Sequence, residues 1–212
     1  MSETSDIIVI GGGIAGIGAG ARMAADASVT VLETEEAIGY HATGRSAAIY
    51  IRNYGNDTLR ALNAAAEPVF KEPEGISDES LLTPRGLLYV ATEEHVGALD
   101  KILEGATGME RLDADAAVAR VPILRRENIV AAAIEEGAQD IDVDRLLQGF
   151  AKMLRHQGGR IVNKAPVTAI SRADGVWTLE TPQGSFSAPI IVNAAGAWAD
   201  EVAKLAGVQP LG

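Results

Sequence analysis

Residues 6–33, DIIVIGGGIAGIGAGARMAADASVTVLE, carry the pattern that indicates the fold class of this chain. The stretch begins with four apolar residues, 7–10, which is the length of a buried parallel strand. Small residues then predict a helix over about 14–25, and the apolar run 29–32 predicts a second strand. The order strand, helix, strand predicts a βαβ unit, and therefore an α/β protein with a parallel sheet.

The glycines between the first strand and the helix fit the pattern G-x-G-x-x-G. Gly11 allows the sharp turn, Gly13 lets backbone N–H groups approach a pyrophosphate, and Gly16 lets the helix pack closely on the sheet. The first helical residues, Ile14 and Ala15, lie where unpaired N–H groups and the helix dipole attract phosphate.

Glu33 ends the second strand, about 20 positions beyond the first glycine, where an acid accepts hydrogen bonds from a ribose diol. The same carboxylate would repel a 2′-phosphate, which argues against NADP. A glycine-rich turn without a ligand is the alternative. Strand, glycines, helix, strand and acid together favour dinucleotide binding.

Composition excludes several classes of function. The 212 residues carry a formal net charge of −11, which argues against nucleic acid and anionic membrane surfaces as partners. There is no cysteine, which excludes disulfides, thiolate metal sites and a cysteine nucleophile, and suits a cytoplasmic location. The first apolar run is too short for a signal peptide or a membrane span.

The segment 38–48, IGYHATGRSAA, lacks helical or strand periodicity until Ser46. Its backbone-permissive and hydroxyl residues suit a loop that wraps a ligand. An ordinary connection, with Ser46 capping the next helix, explains the composition equally well.

Later segments predict a second region within the chain. A helix is predicted over 57–70, and its apolar stripe, Leu59, Leu62, Ala66 and Phe70, is expected to lie in the core. Strands and helices over 82–136 then interrupt the nucleotide-binding pattern. We therefore divide the chain into a first segment of a nucleotide-binding domain (1–81), part of a substrate lobe (82–136) and a second segment of that domain (137–212).

The second segment carries three further features. The acids Asp140, Asp142 and Asp144 lack the glycine and the distal glutamate of a calcium loop, so no metal site is predicted. Alternating strands over 167–170, 176–180 and 185–187 predict a β-meander. Small residues after the strand 190–192 either mark a ligand at the end of the sheet or serve close packing.

The blocks GGGIAG, VLE, GYHATGRSAA and IVNAAGAWADEVAKLAG together resemble the D-amino-acid oxidase (DAO) family of FAD-dependent oxidoreductases, most closely the branch with D-arginine dehydrogenase, glycine oxidase and sarcosine oxidase. The resemblance extends over essentially the whole chain. It implies a Rossmann-like FAD-binding domain with a β-meander, part of an α+β substrate-binding lobe, and FAD as the cofactor.

The motifs and the resemblance together give the predicted cofactor-binding residues. The resemblance implies that the 39–49 loop packs along the flavin and that the backbone of Val167 meets the adenine edge. The full set is Gly11, Gly13, Ile14, Ala15, Gly16, Glu33, Thr34, Ala42, Thr43, Gly44, Arg45, Ser46, Ala47, Ala48, Val167, Ala194 and Gly196.

The resemblance also implies the reaction: a D-amino acid or related amine loses hydride to flavin N5 and becomes an imine. No catalytic side chain is identified, because the flavin carries the chemistry, and the electron acceptor is not encoded. Two alternatives stay open. They are a non-catalytic FAD-binding module and, disfavoured by the TGRSAA loop and the meander, a nicotinamide-dependent dehydrogenase.

Three positions are predicted to face the substrate. Ile49 and Leu87 stand where D-arginine-type enzymes have a histidine and an acid, and Leu87 cannot pair with a guanidinium. The resemblance therefore implies a neutral or apolar amine or amino acid. Tyr54 matches a substrate-side tyrosine of the family, although a core tyrosine is an equal alternative.

The resemblance finally bears on the extent of the chain. It ends at Gly212, where family members continue for nearly as long again. We expect an N-terminal portion that is inactive alone, since the rest of the lobe and a carboxylate-binding arginine lie in the later part of the family fold. We also expect its exposed surfaces to favour homo-oligomers.

Overall fold

The computed structural model describes residues 2–212, which fall into two compact units. The first unit contains the residues up to Ala47 together with Gly75–Ser77 and Val143–Gly212. The second contains Ala48–Glu74 and Asp78–Asp142.

The elements are numbered in chain order. The strands are β1 (Glu3–Thr4), β2 (Ile7–Ile10), β3 (Val29–Leu32), β4 (Ile49–Tyr50), β5 (Leu82–Pro84), β6 (Leu87–Ala91), β7 (Met109–Leu112), β8 (Ala131–Glu135), β9 (Gln139–Ile141), β10 (Arg160–Val162), β11 (Ala169–Ala173), β12 (Val176–Thr181), β13 (Gly184–Ala188) and β14 (Ile190–Asn193). The helices are α1 (Ile14–Met23), α2 (Asp57–Lys71), α3 (Val96–Leu103), α4 (Ala114–Arg120), α5 (Val143–His156) and α6 (Ala199–Leu205).

A parallel sheet with the order β10-β3-β2-β14 forms the centre of the first unit. The strands β2 and β3 are nearly all apolar because both of their faces are covered. On one face, Val9 and Val31 pack with Ile17 of α1 and Leu154 of α5. The small residues of α1 allow this approach, since a Cβ on Gly20 would lie 3.1 Å from Val31.

The β-meander covers the other face of the parallel sheet. Its strands follow the order β1-β13-β12-β11, and Ile8 and Leu32 pack there with Leu179 and Phe186. Helices, parallel sheet and meander therefore form three layers in this unit. The predicted fold class, a Rossmann-like α/β domain with a meander, is confirmed.

The second unit contains two antiparallel sheets of three strands each. One has the order β4-β9-β5, and the other has the order β6-β8-β7. Helix α3 covers the second sheet, where Leu99 packs with Ala91, Ala131 and Ala133. This mixture of antiparallel sheets and helices agrees with the α+β character predicted for the interrupting region.

The boundaries of the compact units differ from those predicted. The second unit begins at Ala48 rather than at residue 82, and it extends to Asp142 rather than to residue 136. The reason is β9, which is the central strand between β4 and β5 and therefore ties residues on both sides of the predicted boundaries into one sheet.

The predicted core stripe of α2 is wrong for its first turns. Leu59 and Leu62 are 43% and 61% exposed, and Ala66 and Phe70 are only partly buried. The spacing of the apolar residues predicted the helix and its apolar face correctly. Within residues 2–212, however, no element covers the two leucines.

A buried carboxylate joins three segments of the second unit. Glu135, at the end of β8, is 2% exposed and accepts hydrogen bonds from the side-chain amide of Asn53 at 2.8 Å and the hydroxyl of Tyr89 at 3.4 Å. The amide of Asn53 also donates to the carbonyl of Thr107 at 3.0 Å. Burial, followed by the nearby charge of Glu135, raises the pKa of Tyr89 to about 12.

We predict that Glu135→Ala lowers the free energy of unfolding by about 2 kcal/mol or more, because it leaves buried donors without an acceptor. Urea denaturation followed by circular dichroism measures this change. The neighbouring Glu136→Ala is the matched control, since Glu136 is exposed and pairs with Arg120 at the surface. Equal losses in the two variants would contradict a structural role for the Glu135 network.

Candidate functional site

A cavity of about 720 Å³ opens at the carboxyl ends of the parallel strands in the first unit. Strand β2 lies between β3 and β14, so the loops that follow these two neighbouring strands lie on opposite sides of β2. Ligands of open α/β sheets bind at such switch points. The cavity is lined by residues 10–15, 33–35, 39–43, 45, 166–167, 194–198, 201, 202 and 205.

The glycine loop that follows β2 is confined on both sides. Gly11 has a φ of +112°, and a Cβ there would overlap the carbonyl oxygen of Ala194 beyond β14. On the other side, a Cβ on Gly12 would lie 2.6 Å from a carboxylate oxygen of Glu33. Glycine is therefore required sterically at both positions.

Helix α1 begins beside the cavity, where its first backbone N–H groups can bind an anion. Its preceding residue, Gly13, has no side chain to cap the helix, and its conformation is extended. The N–H of Ile14 donates to the hydroxyl of Thr43 at 3.0 Å, which ties the 39–45 loop to the helix start. First-turn N–H groups lack partners within a helix and favour phosphate.

Glu33 is the buried acid of the site. One carboxylate oxygen accepts the N–H of Gly12 at 2.6 Å and the other accepts the N–H of Glu35 at 2.8 Å. Each oxygen has a second lone pair, so the carboxylate keeps acceptor capacity for hydroxyl groups. The acid predicted to bind ribose therefore also fixes the glycine loop.

These residues fit a dinucleotide such as FAD. The helix start would hold the diphosphate, Glu33 would accept from a ribose diol, and the volume is typical of a cofactor site. Arg45 also lines the cavity and adds a positive charge, with its guanidinium 5.2 Å from the ring centre of Tyr40.

Most of the predicted cofactor residues line this cavity, and the assignment of each to FAD stays a prediction. Those that line it are Gly11, Gly13, Ile14, Ala15, Glu33, Thr34, Ala42, Thr43, Arg45, Val167, Ala194 and Gly196. Those outside the lining are Gly16, Gly44, Ser46, Ala47 and Ala48.

Two of the glycines outside the lining have structural roles. Gly16 packs against the carbonyl of Gly11, so it brings the helix to the loop. Gly44 donates its N–H to the carbonyl of Gly39 at 2.7 Å and closes a turn.

Helix α2 is capped by Asn56, which accepts the N–H of Leu59 at 3.1 Å, so the alternative that Ser46 caps the next helix is wrong.

The three predicted substrate residues all belong to the second unit. Ile49 lies in β4 and Leu87 lies in β6, opposite Glu135. Tyr54 is 64% exposed in a loop, so the alternative that it packs in the core is wrong. Their contact with a substrate stays a prediction.

Several lining residues are absent from the predicted cofactor-binding set, chiefly Glu35, Tyr40, His41 and Trp198, although Tyr40 and His41 lie in the 39–49 loop that the resemblance places along the flavin. The histidine and tryptophan meet with ring centres 4.6 Å apart. The GYH and GAW blocks contain these rings, but no local pattern indicates that two loops so distant in sequence come together.

Residues 2–212 hold no cluster of three or more His, Asp or Glu side chains arranged for a metal ion. None of the helices in that range is both long enough and apolar enough to cross a membrane.

Fold and site together define a dinucleotide-binding α/β protein. The family model for FAD dependent oxidoreductases (DAO) matches residues 6–211. The chain belongs to this family, and FAD is the cofactor of the family.

Two relatives illustrate the range of similar sequences. Human mitochondrial dimethylglycine dehydrogenase is 28% identical over 230 residues, which cover 98% of this chain and 25% of the relative. L-2-hydroxyglutarate dehydrogenase of Indibacter alkaliphilus is 28% identical over 214 residues, which cover 94% of this chain and 52% of the relative. The chain thus spans between a quarter and about half of the length of these relatives.

Solved structures share the fold. FAD-bound L-alpha-glycerophosphate oxidase from Mycoplasma pneumoniae superimposes with a TM-score of 0.85 at 20% identity, over 97% of this chain and 57% of the other. Glycine oxidase from Geobacillus kaustophilus gives a TM-score of 0.83 at 22% identity, over 96% of this chain and 58% of the other.

We predict that Gly11→Ala abolishes FAD binding and lowers stability, because the new methyl group overlaps the Ala194 carbonyl and the φ of Gly11 is strained for alanine. Gly18→Ala is the matched control, since Gly18 lies within α1 and its Cβ would make an ordinary 3.7 Å contact with Phe150 of α5. Flavin absorbance after gel filtration and thermal unfolding measure the two effects. Normal FAD retention by Gly11→Ala would contradict the proposed loop geometry.

Proposed function

We propose that this chain is the FAD-binding part of an oxidoreductase that oxidises the C–N bond of an amino acid or related amine. The observation that carries the proposal is the cavity at the switch point, where the start of α1 and the carboxylate of Glu33 converge in a chain of the DAO family. When bound, FAD supplies the redox chemistry by accepting hydride.

The residues of the chain itself have binding and orienting roles in this proposal. The N–H groups at the start of α1 hold the diphosphate, and Thr43 keeps the neighbouring loop against them. Glu33 orients the ribose while it fixes Gly12. The buried layers below the cavity keep these groups rigid, which favours retention of a cofactor.

Two observations bear on the substrate. The apolar Leu87, at a position where the resemblance implies contact, favours a neutral or apolar side chain over a guanidinium. The similar proteins include both a dimethylglycine dehydrogenase and an L-2-hydroxyglutarate dehydrogenase. An amine and a 2-hydroxy acid each lose hydride from carbon, so a substrate test has to compare both classes.

We further propose that the 212-residue chain holds FAD without completing the reaction, because it spans only part of the length of its relatives.

Exposed apolar residues, among them Leu62 and Ile123, favour self-association of the chain. The electron acceptor is either oxygen or a respiratory carrier, and reoxidation kinetics distinguish the two.

An anaerobic flavin-bleaching screen tests the function. The samples are the 212-residue chain and the longest natural polypeptide that contains it, each reconstituted with FAD. The probes are N-methylated amino acids, neutral D- and L-amino acids, and 2-hydroxy acids. We predict that N-methylated or neutral amino acids bleach the flavin of the longer polypeptide, and that none of the three kinds of probe bleaches the flavin of the chain alone.

Each contrary result has a definite meaning. Bleaching by 2-hydroxy acids alone contradicts the C–N assignment. Stable flavin binding without bleaching by any probe supports a non-catalytic FAD-binding module. Binding of NAD in place of FAD would contradict the assignment of the cofactor.

A further inference from the structure

Two loops meet across the candidate FAD cavity through an aromatic contact. One loop follows β3 and carries His41, and the other follows β14 and carries Trp198. Because β3 and β14 lie on opposite sides of β2, these loops reach the cavity from opposite sides. The rings of His41 and Trp198 lie 4.6 Å apart between centres and are tilted by 53°.

The histidine is held in place from its own side of the cavity. Its Nε2 lies 2.8 Å from a carboxylate oxygen of Glu35, which also belongs to the loop after β3. The ring of Tyr40 meets the imidazole edge-on at 5.1 Å, and the guanidinium of Arg45 lies over Tyr40. The imidazole is therefore oriented by two neighbours on the same loop, Glu35 and Tyr40, and Arg45 in turn contacts Tyr40.

The tryptophan is held from the opposite side. Gly196, with a φ of +56°, begins a short 3-10 turn that ends at Trp198. The N–H of Trp198 donates to the carbonyl of Ala195 at 3.0 Å, and the side-chain amide of Asn193 donates to the carbonyl of Ala199 at 2.7 Å. These bonds fix the turn to the end of β14.

We propose that His41 and Trp198 form a clasp that retains FAD in the cavity. Both residues line the cavity, and Trp198 is still 49% exposed, so the pair separates without disruption of a buried core. FAD leaves only when the two loops separate, and the ring contact slows that separation. This inference rests on the proposed FAD site and assigns a role to two residues outside the glycine motif.

The clasp makes a quantitative prediction about release. Loss of one aromatic contact accelerates FAD release by about threefold to tenfold. Because both residues act through one contact, the double variant His41→Ala/Trp198→Ala releases FAD no faster than the faster of the two single variants. The conservative variant Trp198→Phe keeps a ring at the contact and restores slow release.

The experiment uses the 212-residue chain loaded with FAD, and release is followed by the recovery of free-flavin fluorescence after dilution. His95→Ala is the matched control, since His95 lies in the second unit beside Thr92. A second readout uses the Trp177→Phe background. The sequence has two tryptophans, so Trp198 is the one that remains in this background. There, His41→Ala increases the quenching of Trp198 emission by acrylamide.

The outcomes separate the clasp from the FAD site itself. Single variants that release FAD at the wild-type rate, or a double variant whose acceleration is the product of the single effects, overturn the clasp alone. If a single variant misfolds, Trp198→Phe and His41→Gln are compared in its place, and faster release by the glutamine variant alone supports the clasp. A wild-type chain that never binds FAD overturns both the proposed function and the clasp.

Discussion

The hydrogen bond from the N–H of Gly12 to the carboxylate of Glu33 connects the two strands on which the candidate site depends. It joins the loop after β2 to the end of β3 at 2.6 Å, and a Cβ on Gly12 would lie only 2.6 Å from the same carboxylate oxygen. Because Glu35 also donates its N–H to this carboxylate, the chain beyond β3 turns back toward the cavity. One buried acid therefore determines the shape of the loop, the path of the next segment and the acceptor offered to a ribose.

The local part of the fold was predictable because its signals are local. Strands β2 and β3 have the predicted bounds, since short apolar runs next to glycine and acid residues allow little variation. The stripe on α2 was predicted as core, yet Leu62 is exposed. Amphipathicity indicates which face of a helix is apolar, whereas the element that covers this face is a property of the whole polypeptide.

In the site, too, residues that are close in sequence were predictable, whereas contacts between residues that are distant in sequence were not. The glycines, the start of α1 and Glu33 are neighbours in sequence or follow a fixed spacing, so their convergence was predictable. His41 and Trp198 converge only because β3 and β14 flank β2 in the sheet. Likewise, β9 pairs with β4 and β5, which moves the boundary of the compact units away from the predicted position.

The affinity of the 212-residue chain for ADP, with and without the Glu33 carboxylate, tests whether this acid holds the ribose of the cofactor. ADP contains the ribose and diphosphate that the glycine loop and the acid are assigned to bind. Isothermal titration should show at least about tenfold weaker binding by Glu33→Ala, which corresponds to about 1.4 kcal/mol. The exposed neighbour Glu36, which pairs with Lys164, serves as the control and should bind normally as Glu36→Ala. Wild-type affinity in the Glu33→Ala variant would contradict the assignment of Glu33 to the ribose.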